Sequence, residues 1–157
     1  MKIKAISILT AIILVMMACN KDNDTPEEII HDTTPYVLAI GDFPPPAIAP
    51  DNQLTNQKVK LGKMLFYDKK LSKDGTQSCA SCHRQEHAFS DTAQFSLGVE
   101  GLEGKRQAMA IINMAWNTNE FFWDGRAHLL RDQSLKPIQD PLEMNETLPN
   151  VVSKLSS

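Results

Sequence analysis

Two cysteines and a histidine stand in the order Cys79-Ala80-Ser81-Cys82-His83, and that spacing has a chemistry. On a helical turn, positions i and i+3 share a face, so both thiols meet one edge of a planar ring. His83 then projects beneath that ring, where its imidazole can bind an iron. C-x-x-C-H is the attachment signature of a c-type haem, whose vinyl groups the thiols add to. Two other chemistries use such a pair. A zinc site needs two further ligands, and the sequence has no second cysteine pair. A thioredoxin-like redox pair sits beside a βαβ pattern, which this sequence lacks.

The chain that must position these residues is short. Its 157 residues, 42% of them hydrophobic, allow one modest domain. Aromatic residues make up only 6%, and a bound haem would supply much of the missing apolar core. The net charge of −3 argues against a nucleic-acid partner. The third cysteine, Cys19, belongs to the N-terminus. Lys2 and Lys4 precede a 13-residue apolar run, residues 5–17, too short to span a bilayer comfortably. The pattern is an export signal. It ends in Val15-Met16-Met17-Ala18-Cys19, a bacterial lipoprotein cleavage box. Cleavage would place a lipid on Cys19 and leave 14 basic against 19 acidic residues, a mature charge of −5. The expectation is an exported, periplasmic protein anchored to the membrane by that lipid, which agrees with the haem motif because bacteria attach c-type haems outside the cytoplasmic membrane. Residues 1–18 are then the signal, 19–50 a flexible Pro-rich tether containing a solvated His31, and 51–157 the haem domain.

Within that domain, residues 56–67 form an amphipathic helix on the apolar positions Val59, Leu61, Leu65 and Phe66, with Gly62 in its middle. Residues 68–75 are a polar connection. Gly98, Gly101 and Gly104 mark a loop, after which residues 107–116 read as helical. A further helix is expected over 127–135, stopped by Pro137. Another begins at 147, with Pro149 in its first turn. No strand of convincing alternation and no internal repeat is present. The fold class is therefore mainly α, with long loops around a cofactor.

Leu61-Gly62-Lys63-Met64-Leu65-Phe66-Tyr67-Asp68, Leu71-Ser72, the haem motif and Ala88-Phe89-Ser90-Asp91 stand in one order. Phe122-Trp123-Asp124-Gly125-Arg126-Ala127, Asp132-Gln133 and Pro141-Leu142-Glu143-Met144 follow. Over residues 61–146 this series resembles the bacterial di-haem cytochrome c peroxidases and their MauG-type relatives, in their N-terminal, peroxide-reacting half. The resemblance implies a cytochrome c-like helical haem domain that holds haem c. It implies reduction of hydrogen peroxide to water, with electrons from a small cytochrome c. It further implies that His83 is the proximal iron ligand. Glu143 would be the carboxylate that moves a proton between the peroxide oxygens, Gln133 a distal amide, Trp123 the indole between two haems, and Arg106 the arginine after the Gly-rich loop. The chemistry is coherent in its own right. Heterolysis of an O–O bond needs a proton to leave one oxygen and reach the other, and one carboxylate over an open iron face can serve both.

Three departures from the family pattern qualify that picture. Val99 follows Leu97-Gly98 where many di-haem peroxidases carry a second histidine that caps the iron until reduction, so an open site is expected, as in MauG-type members. Gln107 stands where an asparagine near a calcium site is common, which puts calcium in doubt. Family members continue into a second domain with another C-x-x-C-H and a second haem, so this chain is expected to represent the first of two domains. A competing function is a one-haem electron-transfer cytochrome, with Met144, Met109 or Met114 as sixth ligand. For Met144 the preferred reading is a flexible core residue. His87 and His128 are not expected to bind iron.

Overall fold

A computed structural model describes residues 31–157; the signal, Cys19 and the first part of the tether lie outside the described residues. The fold is mainly α. Helix α1 (Asn56–Tyr67) is followed by a 3-10 turn (Lys69–Leu71), the single-turn helix α2 (Cys79–Cys82), α3 (Leu130–Gln139) and α4 (Leu148–Leu155), with further 3-10 turns in the loops between α2 and α3. Among the described residues strand pairing is limited to four isolated bridges.

Helix α1 forms where its periodicity and caps require. Thr55 accepts the Lys58 N–H at its N-terminus, and Asp68 leaves the helix and caps the next turn through the Lys70 N–H at 2.8 Å. Val59, Leu65 and Phe66 face inward and are half-buried, but Leu61 is exposed. Helix α4 also begins as its sequence indicates, with Thr147 capping the Asn150 N–H and Pro149 in the first turn.

Two helices differ from expectation. Residues 107–116 are loop, apart from a 3-10 turn at Met114–Trp116. Their hydrogen-bonding groups are taken by distant partners: the Ile111 N–H donates to Phe89 O and Ala108 O accepts from Ser90 Oγ. Asn113 at φ 56° also breaks the helical path. Helix α3 starts later than residue 127 because Ala127 is bridged to Phe121, whose N–H donates to Ala127 O at 2.7 Å. It then continues through Pro137 instead of stopping there. The missing proline N–H leaves the Gln133 carbonyl without its intrahelical donor.

Part of the run expected to be a flexible tether lies against the domain. The Tyr36 N–H donates to Leu54 O and the Asn56 N–H to Thr34 O. Phe43 packs on Trp116 with ring centroids 5.1 Å apart, and Trp116 Nε1 donates to Pro44 O.

The hydrophobic core consists of Leu71, Ile138, Met144 and Val151, with Leu65, Cys79 and Leu148 against it. It thus joins α1, α3 and α4 to the helix that carries the thiols. Met144 is 5% exposed within this cluster, in keeping with a core role. Met144→Ala removes that volume and lowers unfolding free energy by about 2–5 kcal/mol, measured by denaturant titration; a loss below about 0.5 kcal/mol, the usual range for surface changes, would refute its core role.

Candidate functional site

Ser78 opens the thiol-bearing turn. Its N–H donates to Ser81 Oγ at 3.0 Å, and the His83 N–H closes the turn on Cys79 O at 3.0 Å. Cys79 and Cys82 therefore share a face, as the spacing predicts. Both are free thiols and half-buried. Burial, above all, pushes both upward from the usual thiol range, and the Glu143 charge adds to the effect. Thiols held protonated in this way are poor candidates for a thiolate redox pair.

His83 is oriented by a peptide carbonyl. Its Nδ1 lies 3.1 Å from Phe89 O, so Nδ1–H donates there and Nε2 is left to coordinate a metal. The carbonyl is aimed by a tight excursion of the chain. The Arg84 N–H donates to Ser90 O, the Phe89 N–H returns to Arg84 O at 2.8 Å, and Ala88 and Phe89 both adopt left-handed backbone, φ 54° and 55°. Such conformations are strained for non-glycine residues and concentrate at functional sites. The Phe89 ring also lines an apolar cleft of about 320 Å³ with Phe66, Tyr67, Ile111 and Ile112. Two free thiols on one edge, an imidazole with its outer nitrogen available and a neighbouring apolar cleft fit a c-type haem. Among the described residues no three His, Cys, Asp or Glu side chains converge as a metal site, whereas a porphyrin supplies four of the iron's ligands itself.

Glu143 belongs to the same site. Its carboxyl is held above the ordinary carboxylate range by loss of water, with Asp140 adding repulsion and Arg126 opposing. Its backbone is fixed by the Val99 N–H, which donates to Glu143 O at 2.8 Å. Val99 is fully buried. Gly98 approaches so closely that a Cβ there would sit 2.1 Å from Leu142 O, which only glycine permits.

The remaining expected site residues form a second group. Arg106 donates to Asp124 Oδ2 at 2.8 Å and Arg126 to Asp124 Oδ1 at 2.9 Å, which holds the Asp124 carboxyl at about 2. The Arg126 guanidinium stacks 3.5 Å over the Phe122 ring. Trp123 is 65% exposed, and its Nε1 donates to Gln107 O at 3.2 Å. Arg106 and Trp123 are thus brought together, near the loop after Gly104. Gln133 is half-buried on α3, one turn before Pro137. His31 and His128 are exposed, and His128 pairs with Glu120. The Phe89 carbonyl and Arg126 were not expected from sequence as site components. Their signal was only their place inside the Ala88-Phe89-Ser90-Asp91 and Phe122–Ala127 motifs.

Residues 56–157 match the family model described as di-haem cytochrome c peroxidase. The methylamine utilization protein MauG of Methylorubrum extorquens is 42% identical over 106 residues, 68% of this chain and 30% of that protein. The cytochrome c551 peroxidase of Nitrosomonas europaea is 40% identical over 101 residues, 64% of this chain and 29% of that protein. Among solved structures, a MauG-like protein associated with microbial copper homeostasis superimposes with a TM-score of 0.68 at 35% identity, over 77% of this chain and 35% of that one. The diheme peroxidase BthA from Burkholderia thailandensis gives 0.59 at 26% identity, over 69% of this chain and 32% of that one. The chain spans about a third of the length of the curated relatives it matches.

The raised Glu143 carboxyl has a stability consequence. The unfolded chain ionises this group more readily, so folding stability is lost as pH rises from the ordinary carboxylate range toward the raised folded value. Glu143→Gln removes the penalty. The variant melts above the parent at pH 7, and the gap closes below about pH 4; a variant that melts lower at pH 7 would contradict the burial of this charge.

Proposed function

This chain belongs to the di-haem cytochrome c peroxidase family, and from that membership we propose that it is the peroxide-reacting haem domain of such an enzyme. The haem would be attached covalently through Cys79 and Cys82, with His83 on the iron. The domain would be exported to the periplasm and tied to the membrane by a lipid on Cys19. What most supports this reading is the joint position of the thiol turn, the carbonyl-oriented His83 and the half-dehydrated Glu143.

When bound, the haem supplies the iron at which peroxide is reduced. Hydrogen peroxide needs two electrons and two protons to become two waters, and the chain's own residues manage the protons. A carboxyl raised toward the working pH both accepts and returns a proton more effectively than an ordinary one. Glu143 takes the proton from one peroxide oxygen and gives it to the other. Phe89 O keeps the His83 proton on Nδ1 and leaves Nε2 free for the iron. Gln133 would serve as a distal hydrogen-bond partner. Trp123, held at the surface by Gln107 O, would lie on the route of electrons from a second haem, which a small cytochrome c would charge.

Oxidation of a protein side chain, in the manner of MauG, would use the same residues. Val99 supports that second reading, because an aliphatic side chain offers the iron no ligand. Electron transfer with Met144 as sixth ligand is not favoured, since Met144 is packed in the core.

Glu143→Gln in the haem-loaded protein should keep covalent haem and slow the reaction with peroxide by about 10²–10⁴-fold, read by stopped-flow absorbance. An unchanged rate would remove Glu143 from the proton role. Intact-mass measurement on protein from native cells should find covalent haem and a lipid on Cys19; an unlipidated Cys19 would refute the anchor.

A further inference from the structure

Lys154, near the end of α4, has more partners than a surface lysine. Its Nζ donates to Ser72 O at 2.7 Å, to Lys73 O at 3.3 Å and to the Glu146 carboxylate. The Glu146 side chain is 5% exposed and that of Lys154 33%. Glu146 also accepts the Thr147 N–H at 2.8 Å and Asn150 Nδ2 at 3.2 Å. Hydrogen bonds from Lys154 foremost, and from Thr147, hold its carboxyl below the usual range.

These contacts close a circuit around the site. From Lys154 the path runs to Ser72, which is fully buried. Ser72 Oγ accepts the Gln77 N–H at 3.1 Å, two residues before Cys79. Gln77 Nε2 reaches Gly98 O at 3.4 Å. The Val99 N–H then holds Glu143 O, and the Lys73 N–H holds Met144 O at 2.9 Å. Three residues beyond Glu143 the circuit returns to Lys154 through Glu146. One ammonium group therefore ties the strand of chain that leads into the thiols to the turn that carries the carboxyl.

We infer that Lys154 is a positioning residue: through Glu146 on one side and the Ser72 and Lys73 carbonyls on the other, it sets where Glu143 stands relative to the Cys79–His83 turn. The inference rests on the proton role given to Glu143. Without the ammonium, the buried Glu146 carboxylate keeps only the Thr147 and Asn150 donors and its charge is uncompensated, which favours a shift of the 140–146 turn toward water. A displacement of about 1 Å at a reacting group is enough to change a rate by up to about 10²-fold.

Cyanide is a suitable probe, because it arrives as neutral HCN and must surrender its proton to a pocket base before the anion binds ferric iron. The cyanide association rate is measured on haem-loaded parent, Lys154→Met, Glu143→Gln and the double variant, together with amide exchange of the 97–103 segment. Lys154→Met should slow association on the order of tenfold in the parent, less than about twofold in the Glu143→Gln background, and speed exchange at Val99. Equal slowing in both backgrounds would overturn the inference, since the effect would not run through Glu143. So would unchanged rate and exchange while Glu143→Gln alone is slow, an outcome that leaves the proton role standing. A Glu143→Gln variant as fast as the parent would instead defeat the proton role, and the inference with it. Glu146→Gln keeps the side-chain volume and the Thr147 contact, and it reads the same coupling if Lys154→Met does not fold.

Discussion

The hydrogen bond from the Val99 N–H to the Glu143 carbonyl is the constraint on which the site depends. A half-dehydrated carboxyl lowers its free energy by turning out to water. The backbone of Glu143 is held from the side, so the turn cannot carry the carboxyl outward and only side-chain rotation is left to it. Val99 is wholly buried, so water cannot compete for the bond, and the close contact of Gly98 with Leu142 O removes the slack that a side chain would introduce. The elevated carboxyl is thus a property of the backbone around it as much as of its surroundings.

The neighbouring residue shows how this arrangement is kept folded. Glu143 and Met144 are adjacent in sequence, yet the charge of the first is felt at the thiol pair and the second enters the core with Ile138 and Val151. Cys79 touches that same core. The hydrophobic cluster therefore anchors both sides of the site directly, and the Lys154–Glu146 pair closes the polar side of the same junction. An element that is unfavourable in itself is flanked on both sides by favourable ones, a common pattern where function requires local strain.

How much of this was legible in the sequence follows from the range of each interaction. Helix α1 was readable from the spacing of its apolar positions and α4 from Pro149 in its first turn, signals that lie within each helix itself. The thiol turn was readable for the same reason. The helix expected over 107–116 does not form because its backbone groups answer to Phe89 and Ser90, some twenty residues away, and local propensity carries no trace of that. The Phe89 carbonyl could not be named from residue identity, since every residue has one. Lys154 and Glu146 lie eight positions apart, outside the i, i+4 spacing at which charge pairs are recognised. The family resemblance supplied Glu143, Gln133 and Trp123, which composition and periodicity alone leave as ordinary surface or core residues.

The paired left-handed residues Ala88 and Phe89 put selection for robustness at odds with selection for electronics. A glycine at either position would adopt the same backbone at no steric cost, and the loop would relax. The same change would widen the directions available to the Phe89 carbonyl, and the imidazole it orients would lose part of its electron-donating bias. In the proposed haem-bound state, the aim of the His83 ring would thus depend on two peptide units of the 88–89 loop. A more comfortable loop would therefore loosen the hold on His83 before it disturbed the core, which lies elsewhere in the chain.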